Sequence, residues 1–168
     1  GTGVIFAAAM RGAARGTWIS AALASMRMPS TAAAEALVAA GAHACTDVTG
    51  FGLAGHLFEM LDPLGVEAEL SLAALPTLDG SLELLSAGIQ SSLHLSNRRV
   101  EKGIFNRDAF LSDPRFELLF DPQTSGGLLI AVEAEHTAEF EAFALENGFE
   151  LSPIGELTER KEKAIYLA

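Results

Sequence analysis

The chain has 168 residues, enough for one domain with a buried core, and its 49% hydrophobic content and mean hydropathy of +0.29 exclude a disordered chain. Eleven basic against 22 acidic residues leave a net charge of −11, which argues against a nucleic-acid backbone or an anionic membrane surface as the main partner. Cys45 is the only cysteine, so no internal disulfide forms and a reducing, cytoplasmic setting is expected, and no apolar run approaches the ~20 residues of a membrane span.

Residues 3–10, GVIFAAAM, read as an apolar strand that opens the chain directly, as though cut from a longer protein. Thr17 is placed to cap a helix over 18–28, with Trp18, Ile19, Ala22, Leu23 and Met26 on its buried side. A helix over 31–40 follows, stopped by Gly41, and then a strand over 42–48 ending on Asp47. Gly50-Phe51-Gly52 turns the chain into a helix whose Leu53, Leu57 and Leu61 recur on one face. Residues 66–72 alternate as a half-exposed strand, and Asp79 is placed to cap a helix over 80–87. Residues 89–111 carry most of the central positive charge and show little periodicity beyond a short helix near 96–103. Asp113-Pro114 starts another helix. The polar loop 121–127 feeds an apolar strand, 128–132, and a helix follows over 135–147 with Ala138, Ala142 and Leu145 along one face, closed by Gly148. Residues 149–157 and 163–167 close the chain as a pair of strands around a charged turn. One α/β domain is expected over residues 1–168.

Two loops have the composition to meet a ligand. Gly50-Phe51-Gly52-Leu53-Ala54-Gly55 spells G-x-G-x-x-G between a strand and a helix, the outline of a dinucleotide site. The strand before it carries Thr46, Asp47 and Thr49 where a buried parallel strand should be apolar, and the following acids, Glu67 and Glu69, come too soon for the ribose-binding position about 20 residues on. His43, Cys45 and Asp47 share a strand face, but such side chains converge poorly on a tetrahedral zinc ion. A single carboxylate at a strand end suits Mg²⁺, which takes one or two protein carboxylates plus phosphate and water; capping of the next helix competes for the same Asp47. Thr124, Ser125, Gly126 and Gly127 can offer backbone N–H groups to an anion, or merely turn the chain into its strand. His56 and Glu59 lie one helical turn apart, His94 and His136 lack evident partners, and Arg98, Arg99, Lys102 and Arg107 form either a phosphate site or a solvated loop.

The strings TDVTGFGLAGH (46–56) and DPQTSGGLLIAV (121–132), with the opening GTGV and GEL at 155–157, resemble the C-terminal domain of the selenophosphate synthetase (selenide, water dikinase) family. The resemblance implies the fold of the aminoimidazole ribonucleotide synthetase superfamily: a single compact domain of mixed, mainly antiparallel sheet flanked by helices. It implies an enzyme that makes selenophosphate, AMP and phosphate from selenide, ATP and water, with Mg²⁺ as cofactor and Asp47 as a magnesium ligand. It further implies an N-terminal domain, absent from this chain, that dimerises, carries most of the ATP site and supplies the catalytic Cys or selenocysteine and Lys. No catalytic residue is therefore expected here, and Thr124, Ser125 and Gly126 are loop candidates for cofactor binding that face the same cleft, with no defined ligand assigned. Related domains serve purine synthesis, thiamine phosphate kinase and hydrogenase maturation, and a non-catalytic binding domain of the same fold is a further alternative.

Overall fold

The computed structural model describes every residue except 64, 150 and 160–163. Residues 3–10 belong to a helix, α1 (Thr2–Met10), not to the expected strand. The run contains three consecutive alanines, good helix formers, and Val4, Ile5, Ala7 and Ala8 are all buried. A helix buried on most sides lacks a polar stripe, so its sequence shows no 3.6-residue period. Helices α2 (Gly16–Met26) and α3 (Thr31–Ala39) follow. Thr17 lies inside α2 rather than capping it, and the Arg15 guanidinium sits 4.6 Å over the Trp18 ring. Trp18 and Ala22 are buried there, whereas Leu23 is exposed.

Strand β1 (Ala44–Asp47) leads into α4 (Gly52–Leu61), whose Leu57 and Leu61 are buried with Leu53 packed beside them, as the spacing predicts. Strand β2 (Val66–Leu70) is followed by α5 (Ser81–Ser86), where Gly80 takes the cap position expected of Asp79. The central region forms α6 (His94–Asn97), then a 3₁₀ turn over Arg98–Gly103 and another over Arg107–Ala109. Helix α7 (Pro114–Leu118) starts as expected, with the Asp113 carboxylate accepting a 2.8 Å hydrogen bond from the Arg115 amide. Strand β3 (Leu128–Ala131), α8 (Thr137–Glu146), β4 (Gly155–Glu159) and β5 (Ile165–Leu167) complete the chain. Helix α8 buries Phe140 and Ala144, and Leu145 faces solvent, so the inward face is not the one read from the alanines.

The strands form two small sheets. β1 pairs antiparallel with β3, from Ala44 opposite Ala131 to Asp47 opposite Leu128. The other has the order β4-β2-β5, antiparallel between β4 and β2 and parallel between β2 and β5. The last two strands thus flank β2 and do not pair with each other. The turn between them lies largely outside the described residues. Helix α7 ties two cores together: Phe116 packs with α4, β2 and β5, while Leu118 packs with α1, α2 and α5.

Candidate metal and phosphate site

β1 and β2, on either side of α4, lie in different sheets, so the unit is not a parallel β-α-β crossover and the dinucleotide outline has no structural basis. Two of its three glycines, Gly52 and Gly55, serve close packing. Gly52 has φ +72°, and a Cβ there would lie 2.8 Å from the Leu119 carbonyl oxygen; a Cβ on Gly55 would lie 2.7 Å from that of Phe51. The Ala54 amide donates to the same Leu119 oxygen at 2.9 Å. The start of α4 is pressed against the chain that enters loop 121–127.

The loops after β1 and before β3 are joined directly. The Val48 amide donates to the Gly127 carbonyl at 2.9 Å and the Gln123 amide to that of Thr49 at 3.0 Å. A Cβ on Gly126 would stand 2.1 Å from the Val48 carbonyl oxygen, so no other residue fits at 126 without backbone movement. The two motifs, some 75 residues apart in sequence, therefore form one surface.

The first half of loop 121–127 is committed to the fold. Gln123 Oε1 accepts from the Thr2 amide at 3.1 Å and the Gly1 amino nitrogen at 2.9 Å, and the Gly3 amide donates to the Pro122 carbonyl. Together they satisfy the start of α1. Asp121 is wholly buried; burial pushes its carboxyl up, and the Gln123 side-chain amide, which donates to Oδ2 at 3.1 Å, works against that shift. The second half stays open. Thr124, Ser125 and Gly127 are exposed. Ser125 has φ +47° and is the one non-glycine residue with positive φ among the described residues. The Thr124 amide is spent on Thr2 Oγ1 at 2.9 Å. Those of Ser125, Gly126 and Gly127 donate to no group among the described residues. A left-handed residue followed by unspent amides makes an anion-binding concavity.

Asp47 sits opposite Leu128, one residue past that concavity. It is exposed, and its carboxylate has no hydrogen bond or ion pair among the described residues. It does not cap α4, which starts without a side-chain cap. The neighbouring polar groups are occupied: Thr49 Oγ1 lies 3.2 Å from His56 Nε2, and Glu59 lies 3.4 Å from His56 Nδ1. His56 is buried and serves as an anchor beneath the loop. Burial, and then the charge of Asp47, push the Cys45 thiol up, which makes it a poor nucleophile at neutral pH.

His43, Cys45 and Asp47 gather into no metal-sized group among the described residues. His43 instead lies 3.5 Å from Glu133, near the exposed trio Glu133, Glu135 and His136. That trio stands at the other end of the β1–β3 ladder, about 10 Å of strand from Asp47. Two of the four basic residues are held in ion pairs. Arg98 reaches Glu101 at 2.7 Å and Glu117 at 2.8 Å, and Arg107 reaches Glu101 and Asp108, both at 3.4 Å.

Sequence reasoning missed the support beneath these loops. Glu117 accepts from Gln90 at 3.2 Å and Arg98 at 2.8 Å, and its Oε2 lies 2.7 Å from His94 Nε2. The Asn97 amide donates to the Gly50 carbonyl at 2.8 Å and to that of Phe120 at 3.1 Å. The available signal was polar, not apolar: Gln90, His94, Asn97 and Arg98 recur at helical spacing.

An exposed carboxylate thus stands beside unspent amides on a mixed α/β scaffold. Residues 2–168 match the family described as AIR synthase related protein, C-terminal domain, and the chain belongs to that family. Among individual proteins it is 46% identical over 125 residues to the selenide, water dikinase of Pseudomonas putida, covering 74% of this chain and 36% of that protein. It is 49% identical over 120 residues to that of Aeromonas hydrophila, covering 71% of this chain and 34% of that protein. The corresponding protein of Bordetella bronchiseptica is 47% identical over 126 residues, covering 75% and 36%. The chain thus spans about a third of the length of the curated relatives it matches.

Proposed function

We propose that the chain is the C-terminal domain of a selenide, water dikinase, which makes selenophosphate, AMP and phosphate from selenide, ATP and water. The observation that carries this reading is the pairing of Asp47, exposed and unspent, with the free amides of Ser125, Gly126 and Gly127 on one surface. The similarity to selenide, water dikinases over about three quarters of the chain supports the reading of that surface as one that meets ATP phosphates.

The donor set suits Mg²⁺: one hard carboxylate with open solvent around it, leaving positions for phosphate oxygens and water. When bound, Mg²⁺ would neutralise and orient the ATP phosphates for in-line transfer. This chain's own part is to hold the Asp47 carboxylate at the end of β1 and to turn the 125–127 amides toward the phosphate charge. Thr124, Ser125 and Gly126 contact ATP in this reading. The nucleophile, a Cys or selenocysteine, and a Lys come from an N-terminal domain, with which this domain closes the site in a cytoplasmic homodimer.

The test is Asp47→Asn in the full-length protein. Selenide-dependent AMP formation should fall by about two orders of magnitude, with a higher Mg²⁺ requirement and an unchanged melting temperature. An unaltered magnesium titration would remove Asp47 from the site. ATP turnover indifferent to selenide would assign the domain to another member of the superfamily.

A further inference from the structure

We infer that Asn97 is a positioning residue that sets the two ligand-facing loops against each other. The inference rests on the function proposed above for that surface.

Asn97 is 8% exposed, and its side-chain amide faces two backbone carbonyls, Gly50 at 2.8 Å and Phe120 at 3.1 Å. Two acceptors on one side require the NH₂ group there, so both of its N–H bonds are spent. Gly50 lies three residues beyond Asp47, and Phe120 immediately precedes Asp121. One planar group therefore spans the exit of β1 and the entry to loop 121–127.

The helix carrying Asn97 is itself pinned. One turn before it, His94 meets Glu117 of α7, and Arg98 bonds the same carboxylate while lying 5.6 Å from the Phe116 ring. Glu117 thus fixes the position of α6, and Asn97 transmits it to both loops. Neither carbonyl has a second donor that could replace Asn97 among the described residues. Truncation leaves two carbonyls without their donor, and Asn97→Asp sets a carboxylate oxygen against them.

Asn106 provides an internal control. It also makes two hydrogen bonds, donating to the Leu167 carbonyl at 2.7 Å and accepting from the Leu167 amide at 2.9 Å, but it serves β5 and touches neither loop. The experiment compares Asn97→Asp, the milder Asn97→Ser and Asn106→Ala in the full-length protein. The readouts are melting temperature, amide hydrogen exchange, the Mg²⁺ midpoint, and kcat and KM for ATP. The expected result for Asn97→Asp is faster exchange at Val48 and Gln123, a several-fold higher Mg²⁺ midpoint and a reduced kcat. Asn97→Ser should do the same to a smaller degree, and it carries the test if Asn97→Asp does not fold. Asn106→Ala, at comparable loss of melting temperature, should speed exchange at Leu167 and leave the midpoint in place. The inference is overturned if Asn97 variants leave exchange at Val48 and Gln123 unchanged. It is equally overturned if their Mg²⁺ midpoint moves no more than that of Asn106→Ala. Absence of selenide-dependent turnover in the wild type would defeat the proposed function alone, because the exchange measurement needs no turnover.

Discussion

The two sheets divide the work of the domain. In β4-β2-β5, the inward residues Ala68, Leu70, Ile165 and Leu167 are all buried, and the sheet exists to close a core. In β1–β3, only Leu129 of the paired residues is buried, and both strands end in loops that face solvent. The first sheet derives its stability from apolar area removed from water. The second is held mostly by backbone hydrogen bonds and close backbone contact, at Gly52 and Gly126 above all. A surface that must present an unspent carboxylate and unspent amides cannot also bury them, so its rigidity has to come from the groups around it.

That contrast predicts a separation of stability from ligand response. The largest stability effect belongs to the core sheet: Ile165→Ala should cost about 3–4 kcal/mol in denaturant unfolding. The Mg²⁺ dependence of the full-length protein should be unmoved, and a shifted midpoint would show that the two sheets are not independent. Next comes Gly126→Ala, where the new Cβ meets the Val48 carbonyl. A cost of about 2 kcal/mol is expected, whereas Gly127→Ala, with open space around it, should cost far less. Equal effects at 126 and 127 would mean that the loops are not locked together as the hydrogen bonds indicate.

The smallest effect sharpens the picture of Asp47 itself. Its charge is the second cause, after burial, of the raised Cys45 thiol pKa. Asp47→Asn should therefore lower that pKa, raise the thiolate fraction at pH 8 and speed alkylation of Cys45 by a few-fold. Alkylation at an unchanged rate would place the Asp47 carboxylate farther from the thiol than β1 holds it.

Both stretches of the candidate site were legible in the sequence because their signals are local. An acid before glycines and a run of small polar residues before a strand are written in consecutive positions. The period-four leucines of α4 and the Asp113-Pro114 start of α7 were legible for the same reason. Segment 3–10 misled because an apolar run of eight residues fits a buried strand or a buried helix equally well. What decides it is the pocket between α2 and α5 that receives it. The closing strands misled because nothing within 149–167 states that β2 will lie between them. Gln123 reads as one more polar residue of a ligand loop, yet it is spent on the start of α1, 121 residues away from Thr2. Asn97 reads as part of a short helix in a charged stretch, yet its partners are Gly50 and Phe120.

The sequence by itself singled out the residues on which the proposed chemistry rests: Asp47, and the small residues from Thr124 to Gly127. It also placed those residues at the ends of strands, since hydrophobic periodicity is a local property. Only the tertiary structure decided that the two stretches meet, that half of the second is consumed by α1, and that Asn97 stands between them. Those facts depend on pairings between residues far apart in the chain, whose loop-closure cost is met by the packing of the whole domain rather than by any one segment's preference.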